Sequence, residues 1–350
     1  MWAELPEDMI ESISKKLTSS VDYVRYRCVC RSWRLSTPEA PLHLPTQHPW
    51  LMISHQSFFD LSTNKIHQLN LAPHSSRRTC IYGSSHGWLV IIDKFISEVR
   101  LLNPITLTTV SLPKLNPLDH QNSTVLIKVA LSSSPLISSD VFTAFALLHG
   151  NEFAVWRKGY ESWVVLNWGI NFNGVDAIYK NGSFFVVGTK GIIAVFDVDR
   201  RKISHIKMSF DIEISPFGFI GLPSVNDHSN LVFLKENMLL VIPKFKSVKN
   251  MSGNRVTTIG FKIYEMNGNV CKWEQIHSLG EHSLFIGVKS SSVICSCVAD
   301  LVGCRPNCIY FTDFTYGAYI YSLSNKSIDL LPGNPHISYS HSVFVEPSPN

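Results

Sequence analysis

The sequence predicts a mainly β protein with a small α-helical N-terminus, the β part closing into a propeller of six blades, with seven left open. Three observations carry this. An apolar strand, a polar turn and a second apolar strand recur six times between residues 50 and 346. The six turns, marked at Asp60, Asn103, Arg157, Asp197, Glu265 and Ser322, are spaced by about 52 residues, the period of a four-stranded blade. Helical periodicity is confined to the first forty residues.

The helical part begins at Pro6, whose missing N–H suits a first turn, and Glu7, Asp8 and Glu11 complement the positive helix end. Ile10, Ile13 and Leu17 then follow at +3 and +4, one face of an amphipathic helix. Ser19 or Ser20 caps a second helix, with Ser19-x-x-Asp22 resembling a capping box. That helix carries two apolar stripes, Val21/Val24/Cys28 and Tyr26/Val29/Cys30/Trp33. Pro38, Pro41, Pro45 and Pro49 end helical structure and make a stiff linker. Two short helices cannot bury both stripes against each other, so the spare one packs on the following domain or docks a partner. The division is 1–37 helical, 38–49 linker and 50–346 propeller.

Six hairpins follow: Phe58–Asp60 with Ile66–Leu71, Val99–Leu102 with Val110–Leu112, Phe153–Trp156 with Trp163–Leu166, Ile193–Phe196 with Ile203–Ile206, Phe261–Tyr264 with Trp273–Ile276, and Tyr319–Tyr321 with Ile328–Leu331. Asn267-Gly268 is a hairpin signal because both residues tolerate positive φ. Gly87–Ile92, Ala177–Val187 broken at Asn181-Gly182, Leu231–Ile242, Leu284–Val288 and Cys308–Phe311 supply further strands. The first blade is one strand short, and Ser342–Glu346 is a strand with no hairpin of its own. Pairing the two closes the ring.

Composition narrows the function. The 350 residues hold 31 Lys and Arg against 27 Asp and Glu, a net +4 too mild to mark a nucleic-acid or membrane-surface binder. No apolar run nears the ~18 residues a membrane span needs. The acidic start, Glu4 to Asp8, has no signal-peptide pattern, so the eight cysteines are expected to be reduced thiols in the cytoplasm and/or nucleus.

Two resemblances follow from particular residues. Trp2-x-x-Leu5-Pro6-x-x-Met9-Ile10-x-x-Ile13, then Leu17, Asp22, and Arg25-x-Arg27-x-Val29-Cys30-x-x-Trp33-Arg34 resemble an F-box. That family docks onto the Skp-type adaptor of SCF ubiquitin ligases. The resemblance implies that adaptor-facing residues lie among Leu5, Pro6, Ile10, Ile13, Leu17, Val29, Cys30 and Trp33; some of these fill the unit's own core instead, and the sequence does not divide them. The early proline break departs from the family where a third helix is due. Pro49-Trp50-Leu51-Met52, Ser85-His86-Gly87-Trp88-Leu89, Leu102-Asn103-Pro104, the Leu279–Gly287 segment and Asn307–Asp313 are similar to the plant KIB-type F-box proteins, whose C-terminal region is considered a β-propeller.

No residue set predicts catalysis or a cofactor. Gly83-Ser84-Ser85-His86-Gly87 matches G-x-S-x-G, yet that chemistry needs a strand-to-helix elbow, and here Trp88–Ile92 follows as a strand. Cys295, Cys297, Cys304 and Cys308 lack the paired C-x-x-C spacing of zinc sites and are better explained as small buried residues. The expected function is the substrate-recognition subunit of an SCF-type E3 ubiquitin ligase. Its partners are a Skp-type adaptor, through it cullin and RING-bound E2, and an unidentified target protein, with no nucleic acid and no membrane. A non-degradative F-box scaffold and a propeller enzyme are the alternatives. Target-binding loops are sought among Lys114–Thr124, Ser132–Asp140, Asp211–Asn230, Lys246–Thr257 and Ala299–Pro306.

Overall fold

A computed structural model describes residues 4–349 except 40, 55, 70–78, 94–97, 116–125, 136–141, 149–150, 171, 189–191, 207–228, 251–252, 270, 288–292, 298–300, 302, 314–316, 334 and 338–341. Of the candidate loops, most of 114–124, 132–140, 211–230 and part of 299–306 lie outside the described residues.

Three short helices open the chain: α1 (Glu7–Ser14), α2 (Ser20–Arg27) and α3 (Arg31–Leu35). Pro6 precedes α1, and the Ser19 hydroxyl caps α2 by accepting the Asp22 N–H at 3.3 Å. The long second helix read from the sequence breaks at Cys28, and α3 restarts after Cys30 in extended conformation. The third helix is therefore present and short, ending before Pro38. Ile10, Tyr26 and Trp33 close the interior, with the last two rings 4.3 Å apart and the Tyr26 hydroxyl donating to the Ile10 carbonyl at 2.8 Å.

The propeller has six blades. Blade one holds β1 (Trp50–Met52), β2 (Ser57–Asp60) and β3 (Lys65–Gln68); blade two β4 (Thr79–Ser85), β5 (Trp88–Asp93), β6 (Glu98–Leu102) and β7 (Thr109–Leu112). Blade three holds β8 (Leu126–Leu131), β9 (Thr143–Leu148), β10 (Glu152–Arg157) and β11 (Val164–Asn167); blade four β12 (Gly174–Lys180), β13 (Ser183–Gly188), β14 (Ile193–Asp197) and β15 (Lys202–Ile206). Blade five holds β16 (Asn230–Leu234), β17 (Asn237–Asn250), β18 (Gly253–Asn267) and β19 (Lys272–Ile276). Blade six holds β20 (His282–Ile286), β21 (Val293–Cys297), β22 (Cys308–Thr312), β23 (Ala318–Ser322) and β24 (Ile328–Leu330). The last strand, β25 (Val343–Val345), pairs with β1 and supplies the missing strand of blade one.

Within a blade the middle strands are buried on both faces, as in β9 and β22, because the neighbouring blades cover both sides. They are accordingly continuous apolar runs. The outermost strands β3 and β24 are exposed throughout. The inner strands β25, β4, β8, β12, β16 and β21 neighbour one another around the axis.

One turn device recurs where the third strand meets the fourth. Asp60, Asn103, Asp197 and Asn267 each accept, through Oδ1, the N–H two residues on, at 2.8, 2.9, 3.1 and 3.2 Å. An Asx turn mimics a backbone turn without needing glycine, which is why these four of the six hairpins show in the sequence. Asn267-Gly268 thus works differently from the expected positive-φ pair: Asn267 still belongs to β18, and positive φ falls on Cys271. Asn181-Gly182 does adopt that pair, with φ of 48° and 83°.

Two further departures matter. Blade six has five strands in the order β21-β20-β22-β23-β24, with β20 and β22 parallel. Residues 246–257, expected as a loop, lie largely in β17 and β18, which stay paired out to Asn250 opposite Gly253.

Candidate docking surfaces

The helical unit divides the eight residues that the sequence left undivided. Ile10 and Trp33 are interior. Leu5, Ile13, Leu17 and Cys30 are half-buried against them. Pro6 and Val29 are exposed, Val29 by 56%. Met9 and Leu35, at 49% and 74% exposed, join the outward set. Leu35 escaped the sequence reading because the helix break shifts the face of everything after Cys28.

The stripe of Val21 and Val24 has another fate. Val21 packs against the cluster of Trp50, Phe58, Leu89 and Val343 between blades one and two. Both valines line a cavity of about 560 Å³ that α2 shares with Trp50, Phe58 and Ile105. The spare stripe therefore faces the propeller. The linker is tied back as well. The Tyr23 hydroxyl donates to the Pro38 carbonyl at 2.7 Å, and His43 Nε2 stands 3.0 Å from the Ser14 carbonyl. Gln47 accepts the Ser20 N–H at 3.0 Å and donates to the Thr18 and Pro45 carbonyls at 2.9 and 2.7 Å.

The axial cavity, about 860 Å³, opens beside this linker and is lined by Pro41, Leu42, residues 44–47, the His86 turn, Lys128, Tyr179 and the tail from Glu346. Solvent reaches Glu346 through the cavity, while the protein around it raises its carboxyl above the usual carboxylate range. Burial lowers the His86 imidazole, and its hydrogen bond to the Leu131 carbonyl opposes this in part.

The G-x-S-x-G segment is the β4–β5 turn, with His86 and Gly87 at φ of 50° and 80°. Its side chains are held by backbone groups: Ser84 Oγ donates to the Phe344 carbonyl at 2.6 Å, and Ser85 Oγ accepts the Leu131 N–H at 3.2 Å. A Cβ on Gly87 would meet Ser348 Cβ at 2.6 Å, so the turn needs glycine both for its φ and for the tail passing over it.

Cys308 is buried and Cys304 packs half-buried on the cluster of Phe285, Tyr310 and Leu301. The side chain of Cys295 lies outside the described ones. Burial pushes the Cys304 thiol up to about 11. Thiolate is the reacting form. At pH 8, Cys304 should therefore alkylate roughly a hundredfold more slowly than an ordinary thiol, and exposed Cys28 and Cys271 should react first. Mass spectrometry of iodoacetamide-treated native protein checks the order; early labelling of Cys304 would contradict its burial.

These elements define a class: a β-propeller whose inner face carries backbone-committed side chains, joined to a small helical unit with outward apolar residues. Residues 58–338 match the KIB1-4 beta-propeller family model, and the chain belongs to that family. It is similar to the F-box protein SKIP23 of Arabidopsis thaliana, 24% identical, covering 83% of this chain and 79% of that one. It is 25% identical to the F-box/kelch-repeat protein At1g57790 of the same plant, covering 100% and 96%, so the likeness includes the helical residues. Among solved structures, the Cps50 (Swd1) beta-propeller domain of Myceliophteria thermophila aligns at TM-score 0.41 and 10% identity, covering 82% of this chain and 87% of that one. No helix among the described residues is long and apolar enough to cross a membrane.

Proposed function

We propose that the chain is the substrate-recognition subunit of an SCF-type E3 ubiquitin ligase, acting in the cytoplasm and/or nucleus. Residues 1–37 form the F-box domain that docks a Skp-type adaptor, 38–49 the linker, and 50–346 the propeller that holds a target protein. Relatives over most of the chain bear the name F-box protein. The observation that carries the reading is the outward set Pro6, Met9, Val29 and Leu35 around an interior already filled by Ile10, Tyr26 and Trp33. Such apolar surface is costly in water and suits a partner's helices. The protein itself makes and breaks no bond. It holds the target near the adaptor, cullin and RING-bound E2, raising the effective concentration of target lysines at the E2 thioester.

Contact with the adaptor would bury the outward side chains, each worth about 1.5–3 kcal/mol when fully covered. A Val29→Asp/Leu35→Asp variant leaves the interior intact, because both residues are exposed in the free protein. It should lose at least tenfold in affinity for a plant Skp-type adaptor, measured by co-purification and calorimetry, with an unchanged melting temperature. Full retention of adaptor by this variant, or a folded wild type that binds none, would sink the reading.

A further inference from the structure

The ring-closing strand leads directly into an unpaired carboxyl. Glu346 follows Val345, the last residue of β25, and the tail beyond it is pinned. Pro347 is buried, and the Ser348 carbonyl accepts the Asn103 side-chain amide at 3.1 Å. Held from both sides, Glu346 stands at the axial cavity, which it lines together with the His86 turn, Lys128 and Tyr179. Its carboxyl makes no hydrogen bond or ion pair among the described residues. Burial alone raises it above the usual carboxylate range.

The charged and polar groups around it are already committed. Lys128 Nζ holds the Asp176 carboxylate at 2.5 Å, and Lys180 Nζ holds the Glu236 carboxylate at 3.0 Å. His86 Nε2 stands 3.1 Å from the Leu131 carbonyl. Ser132 Oγ accepts the Thr143 N–H at 2.8 Å, and Ser134 Oγ accepts the Trp88 indole N–H at 3.1 Å. Each lysine is thus matched by a carboxylate of its own. Among the described residues lining the cavity, Glu346 is the acid left without a counter-ion.

A carboxyl raised by burial alone ionises once a cation is set beside it. An ammonium or guanidinium placed there also gains a charge-assisted hydrogen bond. A metal ion fits poorly. Hard cations take about six or more oxygen ligands, and no group of three His, Cys, Asp or Glu side chains stands together among the described residues. An anion finds both lysines occupied. Much of the wall is apolar: Ala130, Ala177, Val232, Phe233 and Ile294 line it from the inner strands of blades three to six. The volume of about 860 Å³ lies within the range of pockets that hold small organic molecules.

We propose that the axial cavity binds an organic cation, an ammonium or guanidinium carried on an apolar body, with Glu346 as its counter-ion. The cation belongs either to a free small molecule or to a basic side chain of a bound protein, and the site does not depend on adaptor docking. The test titrates full-length protein, by ligand-observed NMR, with 4-phenylbutylamine and with the alcohol and carboxylate of the same skeleton. A capped peptide of Ala and Leu with one central Lys is titrated beside them. Wild type should bind the amine roughly tenfold or more tightly than the alcohol, the margin of one hydrogen bond to a charged group. Glu346→Gln and Glu346→Ala should each lose that margin, keep the alcohol's affinity and melt as wild type does, which shows cavity and fold intact. Tighter binding of the peptide than of the amine assigns the cation to a protein side chain, and the reverse assigns it to a small molecule; both require Glu346. Equal binding of amine and alcohol, preference for the carboxylate, or amine binding retained by both variants overturns the proposal.

Discussion

Removing residues 343–350 should abolish the folded propeller rather than shorten it. Strand β25 pairs antiparallel with β1, setting Val343 opposite Met52, Phe344 opposite Leu51 and Val345 opposite Trp50. All three of its residues are fully buried. They also point into different interfaces. Phe344 joins the cluster of Phe285, Tyr310 and Phe59 between blades six and one, its ring 5.6 Å from that of Phe285. Val343 and Val345 join Ile81, Leu89 and Leu102 between blades one and two. One strand of three residues therefore joins the last blade to the first two. At roughly 1.5–3 kcal/mol per buried side chain its loss costs on the order of 5–9 kcal/mol, comparable with the whole net stability of an ordinary domain. Phe344→Ala, a milder change, should cost about 3–5 kcal/mol. Circular dichroism melting curves decide: a truncated chain melting within two or three degrees of wild type would mean the ring does not depend on this closure.

That closure was legible in the sequence, since a first blade one strand short and a terminal strand with no hairpin define each other. The outer hairpins were legible for a local reason: Asp60, Asn103, Asp197 and Asn267 each build a turn from their own side chain. The inner strands of blade three were not. Strands β8 and β9 are buried over most of their length, so they show neither alternation nor a helical period. The Leu231–Ile242 run shows no break in the sequence because its turn, Lys235 at φ 57° beside Glu236, contains no Gly, Pro or Asn. Residues 246–257 look like a loop in the sequence for a related reason. Lys, Ser and Asn are loop-like in composition, and only the pairing of β17 with β18 makes the segment a ribbon. In the helical unit, all eight candidate residues were visible as apolar positions. Which way each faces depends on the break at Cys28, where α2 ends and a new helix axis begins.

The second large effect centres on Asp176, a wholly buried carboxylate in β12. Its Oδ1 accepts the Lys128 ammonium at 2.5 Å and the Ala177 N–H at 2.8 Å, while its Oδ2 accepts the Leu231 N–H at 2.7 Å. Lys128 belongs to β8 and Leu231 to β16, so this one side chain ties three consecutive blades together beside the axial cavity. Burial pushes the carboxyl up, and Lys128 with the two amide hydrogens pulls against that shift. The sum of the three contacts decides whether a charge is tolerated here. Removing one partner leaves the other buried and uncompensated, which typically costs 3–5 kcal/mol. Asp176→Asn and Lys128→Met are each expected to destabilise by about that much in urea unfolding. An amide in place of the carboxylate turns a donor toward one of the three donors it now accepts from. The Asp176→Asn/Lys128→Met double variant should be less harmed than the sum of the singles, because it strands no charge; Leu231 and Ala177 keep it short of wild type. The singles and the double together give a coupling energy, expected above ~1.5 kcal/mol for a buried pair in direct contact. Additive singles would mean the ammonium and the carboxylate are solvated separately through the cavity, and the tie across blades three to five would then rest on the Asp176–Leu231 hydrogen bond alone.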